Sequence, residues 1–333
     1  MRIELVPFQE SLISQAGELL AQRHRRDRAI QPWLPIQFED PALAQEAVSQ
    51  ELDRERSSAV AALNDGRLLG FMIGKMVLAQ VWGRSAWVSL AGCALSPDQS
   101  RELVGRMYAV LGSEWEANGC FAHFAVVPAA DAELVQAWFS LSFGIEQVYG
   151  LAKLDGVVEV PAVHPPVDLS IRVAAPEDRQ VLEDLSGIIW RHQTGAPVWG
   201  ICLPEDQHEL RQGYADLAAD PDATVWLAFY KGRAAGFQCC FPADPSGKGL
   251  IVPEQCIELS VAGALPEFQG LGIGQALTRH GMAYAYEHGC RNCLTDWRST
   301  NLLSSRFWPL LGFQPVAYRL ARRIDDRIAW AKG

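Results

Sequence analysis

A run of glycines, a nearby carboxylate and a helix-opening asparagine are the residues of this chain best suited to chemistry. Gln269-Gly270-Leu271-Gly272-Ile273-Gly274 stands between an apolar run, Ile257 to Leu265, and a helical pattern from Gln275 to His288. A glycine-rich turn that opens a helix after a strand offers unpaired backbone N–H groups and the positive end of the helix dipole to an anion, most often a phosphate. A P-loop would need a lysine and then Ser or Thr after these glycines, and none follows. A dinucleotide fingerprint counted from Gly270 and Gly272 would need a third glycine where Gln275 stands. The spacing that remains is Gln-x-x-Gly-x-Gly, through Gln269, Gly272 and Gly274.

Downstream come a short strand pattern, Asn292 to Trp297, then Asn301, Ser304, Phe307-Trp308 and Leu311-Gly312-Phe313. Taken in this order, the two motifs resemble the GNAT superfamily of N-acetyltransferases. The resemblance implies an acetyl-CoA co-substrate, with Gln269, Gly270, Leu271, Gly272, Ile273, Gly274 and Gln275 around its pyrophosphate. It further implies Asn301, Arg306 and Trp308 as cofactor contacts, and backbone N–H groups near Ala264 and Leu265 as stabilisers of the oxyanion. The implied strand, Glu258 to Leu265, is splayed from its neighbour so that the pantetheine pairs like a strand.

Glu258 opens that strand among Cys256, Ile257, Leu259 and Val261. Apolar surroundings make a carboxylate a readier proton acceptor, and the resemblance makes Glu258 the candidate base. A base matters most for a lysine-like amine, about one part in a thousand neutral near pH 7.3, and least for an α-amino group of pKa about 7.8. Most members of the family have Tyr where Trp308 stands, and an indole has no proton to give. Tyr318 or water is the candidate acid, and Trp308 is expected to pack against the acetyl or pantetheine arm. Acceptor contacts are expected from Trp190, His192 and Trp199 in the loop between the first two helices, and from Arg298 at a strand end, since aromatics can cage a cation.

The elements that position these residues occur twice. Ala94 to Gln99 aligns with Ala264 to Gln269, and Trp138 to Phe143 with Trp308 to Phe313, at one offset of 170 residues read without a gap. Upstream, Gly66 aligns with Gly232 and Trp33 with Trp199 at an offset of 166. The expected class is α+β: two tandem GNAT domains, each a mixed, mostly antiparallel sheet flanked by helices. The expected division is 1–156, a Pro-rich linker at 157–167, and 168–333. The second copy should run strand, helix from Ala175 to about Trp190, Trp-rich loop, helix from Pro204, hairpin about Lys231-Gly232, then the motif elements. Where the second copy has Gly270, Gly272 and Gly274, the first has Ser100, Glu102 and Val104, and a carboxylate repels a pyrophosphate. The first copy is therefore expected to be structural, and at offset 170 Val88 replaces Glu258.

A net charge of −10 argues against a nucleic-acid partner, which would need a basic face. No apolar run is long enough for a membrane span, and the N-terminus carries no secretory pattern, so a cytoplasmic location is expected. Eight cysteines in 333 residues read as thiols, and Cys290-x-x-Cys293 lacks the second pair a zinc site would need, so no metal is expected. The expectation is an acetyltransferase acting on a small-molecule or peptide amine as monomer or homodimer. The alternatives are an acyl-CoA-binding sensor with a decayed site, motivated by Trp308, and a thiol-cofactor synthase resembling mycothiol synthase.

Overall fold

A computed structural model describes residues 3–155 and 166–332 of the chain, so the linker expected at 157–167 falls almost wholly outside the described residues. Two runs of like elements follow one another. The first comprises β1 (Glu4–Pro7), α1 (Ile13–Ile30), α2 (Pro41–Leu52), β2 (Ser57–Asn64), β3 (Arg67–Ala79), β4 (Gly83–Val88), β5 (Cys93–Leu95), α3 (Glu102–Ala117), β6 (Ala122–Pro128), α4 (Ala132–Phe139) and β7 (Gly144–Lys153). The second comprises β8 (Leu169–Val173), α5 (Arg179–Leu185), α6 (Gly187–Thr194), α7 (Gln207–Asp216), β9 (Thr224–Tyr230), β10 (Arg233–Pro242), β11 (Cys256–Ala264), α8 (Ile273–Glu287), β12 (Asn292–Arg298), α9 (Leu302–Leu310) and β13 (Gln314–Arg323), before a last turn, α10 (Ile328–Ala331). The paired hairpins turn at Asp65-Gly66 and Lys231-Gly232, all four residues having positive φ, as a two-residue turn between right-twisted strands requires. The helix expected from Ala175 to Trp190 is instead two helices, α5 and α6, parted at Ser186.

Strand pairing corrects the gapless alignment. Trp87 pairs with Lys75 and Phe124, while Glu258 pairs with Phe241 and Leu294. Since Lys75 and Phe241 are equivalent in the hairpins, and Phe124 and Leu294 in the parallel strands, the counterpart of Glu258 is Trp87 and not Val88. Local insertions displaced the count: a short 3-10 turn, Leu90–Gly92, stands in the first copy where the second has only a bulge.

By compactness the chain forms two units that are not two consecutive stretches. One is Met1–Val148 with Pro245–Pro253 and Pro315–Gly333; the other is Tyr149–Asp244 with Glu254–Gln314. The last strand of the second copy thus belongs to the first unit, at variance with a cut at 156 and 168.

In the first unit the sheet order is β1-β2-β3-β4-β6-β13, antiparallel except for β4 and β6, with β5 pairing β3. Ala317–Arg323 of β13 pair along Ala122–Pro128 of β6. Met107, Leu111 and Trp115 of α3 enter a core with Trp138 and Phe143, all nearly inaccessible. The second unit has β8-β9-β10-β11-β12, antiparallel except for β11 and β12, over a core that includes Leu182, Leu185, Leu227 and Phe237. Each is a mixed, largely antiparallel sheet flanked by helices.

Candidate active site

The site of the second unit is built at a place where two parallel strands part. Pairing of β11 with β12 runs from Cys256–Asn292 to Leu259–Thr295 and stops, although both strands continue. The Thr295 hydroxyl donates to Leu259 O at 2.8 Å, which fixes the point of divergence. On the other side of β11, Cys239 pairs with Val261 and Cys240 with Leu259, so Ser260 is an extra residue, a bulge that bends the strand.

The backbone groups of the bent end are thereby sorted. Leu265 N–H donates to Ala235 O at 2.8 Å and is spent on β10, which removes it from the expected oxyanion donors. Backbone polar groups alternate between the two edges of a strand, so Ala264 N–H, and Ala262 N–H two residues before, point to the edge that β12 has left. The sequence pointed to Ala264 and not to Ala262, because the alternation has no phase until a hydrogen bond sets one.

The glycine loop after that strand leaves the first amides of α8 without partners among the described residues. Gly270 and Gly272 have φ of +81° and +78°, where a side chain would be strained, and Gly272 is the N-cap of α8 with no side chain capping it. No hydrogen bond closes onto the N–H groups of Gly272, Ile273 and Gly274 among the described residues. A Cβ on Gly274 would meet only the Phe307 ring, at 3.6 Å, so packing within the protein does not demand that glycine. Gln269 and Leu271 are exposed; Gln275 is half-buried and its Oε1 is enclosed without a donor.

Asn301 caps α9 by accepting from Ser304 N–H at 3.2 Å, and the same Oδ1 lies 3.2 Å from His192 Nε2 of α6. The structure therefore joins an expected acceptor contact to an expected cofactor contact, a pairing 109 residues apart in sequence. Glu258 is half-buried on β11. Trp308 is 6% exposed and edge-on to Phe307 and Phe313. Arg306 is exposed on α9, Arg298 is half-buried at the end of β12, and Trp199 is 71% exposed. Trp190 is half-buried on α6. Tyr318 is not in this unit: it lies on β13 opposite Val127 and packs on the first unit's core, and burial pushes its phenol up.

An open strand edge with a bulge stands next to a glycine-turned helix start, with a capped helix beyond it. Residues 187–313 match the model of the acetyltransferase (GNAT) family. The chain is similar to that family over this segment. Its fold is similar to that of a GCN5-related N-acetyltransferase from Sphaerobacter thermophilus, at 13% identity and a TM-score of 0.58 over 96% of this chain and 95% of that one. It is similar also to a tandem GNAT protein from the clavulanic acid biosynthesis pathway, at 16% identity and a TM-score of 0.52 over 97% and 98% of the two chains. A GNAT-family acetyltransferase from Colwellia psychrerythraea gives 14% identity and a TM-score of 0.50 over 98% and 100%. No curated protein matches the sequence. Among the described residues no cluster of His, Cys, Asp or Glu could hold a metal, and no helix is long and apolar enough to cross a membrane.

Proposed function

We propose that the second copy transfers an acetyl group from acetyl-CoA to the amine of a small molecule or peptide, by direct attack within a ternary complex. The observation that carries this reading is the open edge of β11 beside the uncapped start of α8. The pyrophosphate lies on the N–H groups of Gly272, Ile273 and Gly274, and the pantetheine pairs along the edge that β12 leaves. The thioester carbonyl then meets the N–H of Ala262 and Ala264, which stabilise the negative charge as the amine attacks. Glu258 takes the amine's proton through water, and the CoA thiolate leaves and is protonated by water, since Trp308 has no proton to give.

The test varies the acceptor and the base together. Glu258→Gln should lower kcat by roughly a hundredfold for an amine of pKa near 10.4 and by much less for one near 7.8, with acetyl-CoA affinity unchanged. An equal loss on both amines would return Glu258 to a structural role. Acetyl-CoA binding without turnover on any amine would favour an acyl-CoA sensor.

A further inference from the structure

The first two helices are packed differently in the two copies, and the difference opens a cavity in one of them. In the first copy α1 and α2 touch through Gly17, where a Cβ would lie only 2.7 Å from Gln45 Cβ. At the same offset of 166 residues, the second copy has Glu183 and Arg211. These two make an ion pair at 2.9 Å, and side chains of that length hold α5 and α7 apart where a glycine lets α1 and α2 close. The helix is also interrupted: Ser186 and Gly187 part α5 from α6, where the first copy continues through Leu20 and Ala21. Between α5, α6 and α7 lies a cavity of about 210 Å³, lined by Glu183, Asp184, Gly187, Trp190, Arg191 and Arg211 among others.

The lining carries unspent charges of both signs. Arg191 stacks its guanidinium over Trp190 at 5.1 Å, and Asp184 accepts from Gln180 at 3.0 Å; neither has an ion-pair partner among the described residues. The Trp190 indole N–H is enclosed and has no acceptor, a polar group that costs stability unless something accepts from it. One cation and one anion around a small opening match a small zwitterion. The ligand's carboxylate would take Arg191, and its ammonium would take Asp184.

This cavity is on the other side of α6 from the acyl-transfer site. Ile188 and Ile189 press on β11, where a Cβ at Gly263 would be 2.6 Å from Ile188, and His192 reaches Asn301. Gly187, Trp190 and Arg191, at helical spacing on the opposite face, line the cavity. We infer that the second copy binds a free α-amino acid between α5, α6 and α7, at a site separate from the one where acetyl transfer is proposed, with α6 as the shared wall.

Calorimetric titration of the full-length chain with the common free α-amino acids, and with propionate and ethylamine as single-charge controls, tests this without requiring turnover. At least one amino acid should bind once per chain and both controls should fail. Arg191→Gln and Asp184→Asn, each checked by thermal melting, should weaken binding about tenfold or more. The double variant Glu183→Gly with Arg211→Gln, which restores the first copy's contact, should abolish it. Glu258→Gln and Gly272→Glu should leave it unchanged, so loss of acetyl transfer and loss of this site are read apart. The proposal is overturned if no amino acid binds, if the controls bind as well, or if folded Arg191→Gln and Asp184→Asn bind normally. Acetylation of the amino acid bound at this site when acetyl-CoA is supplied would equally overturn the separation of the two sites.

Discussion

The starts of α3 and α8 are the same turn solved in opposite ways. At α8, two glycines with positive φ carry the chain round and leave the first amides of the helix uncapped. At α3, Arg101 is already helical, Glu102 N–H finds the Ser100 hydroxyl at 3.2 Å, and Leu103 and Val104 N–H find Ser100 O and Arg101 O at 3.0 and 3.1 Å. The first loop satisfies its own helix amides; the second leaves them without partners among the described residues.

The strand edges beside the two loops differ in the same sense. In the second unit the end of β11 is bent by one extra residue and bare on one side. In the first, the matching place is filled by the buried turn Leu90–Gly92, and the buried Arg23 donates to Cys93 O. Where Glu258 stands, the first copy has Trp87, stacked on Phe124 at 4.3 Å and covered by Arg319, whose guanidinium is 5.8 Å from the Trp87 ring and 4.8 Å from that of Trp82. The frame is thus common to both copies, while the place matching Glu258 is filled by packed side chains in the first. A catalytic cleft is under-packed by necessity, and once no ligand is required there, side chains that fill it add stability.

Making the second loop like the first gives the largest expected effect. Gly272→Glu puts a carboxylate at the N-cap of α8 and a side chain at a φ of +78°, so acetyl-CoA affinity should fall at least a hundredfold, about 3 kcal/mol. The fold should survive, because a single residue held in left-handed backbone costs only about 1–2 kcal/mol. Calorimetry of the native chain should give one acetyl-CoA per chain; two sites would break the comparison.

Next in size is the filling of the first cleft. Arg319 is 7% exposed, pairs with Glu146 at 2.7 Å and donates to Gln147 at 3.1 Å. Arg319→Ala leaves Glu146 without that partner and the indoles without a cover, and should cost about 3 kcal/mol in chemical denaturation. A loss within experimental error would mean that the packed cleft contributes nothing.

Acid should distinguish the copies more mildly. His123 in β6 is held between the Tyr108 hydroxyl, 2.8 Å from Nδ1, and Cys120 O, 2.9 Å from Nε2, and burial lowers it from 6.5 to about 4. The unfolded chain takes up this proton as pH falls below 6.5, whereas the folded chain resists until about 4. The stability His123 contributes is therefore complete above pH 6.5 and is lost as pH falls from there through about 4. The aligned residue of the second copy is Cys293, which cannot behave so. His123→Gln should shrink the drop in melting temperature between pH 7 and pH 4.5.

The smallest change concerns Trp308, the aligned partner of Trp138. Both are buried, and both sit edge-on to the Phe five residues on, at 5.3 and 4.7 Å. Trp308→Phe should cost about 1 kcal/mol of stability and keep most of the turnover. Loss of turnover in the folded variant would give this tryptophan a role its counterpart lacks.

The residues with local physics were open to a reader of the sequence. Gly270 and Gly272 are demanded by φ, Asn301 by an orphan helix N–H, and the hairpins by Asp65-Gly66 and Lys231-Gly232; in each case the requirement is met within a few residues of chain. The duplication was legible for the same reason, since repeated local requirements leave repeated letters. Which letter faces which was not. That Trp87 and not Val88 stands for Glu258, that Leu265 N–H is spent while Ala262 N–H is free of β10, that Arg319 from the last strand covers the first copy's indoles, and that His192 meets Asn301 all depend on strand register and helix packing. Register is set by side-chain burial and hydrogen bonds summed over whole strands, and one inserted residue moves every later contact by a place. A sequence states which groups a chain possesses, but only the packed sheet decides which of them remain unpaired.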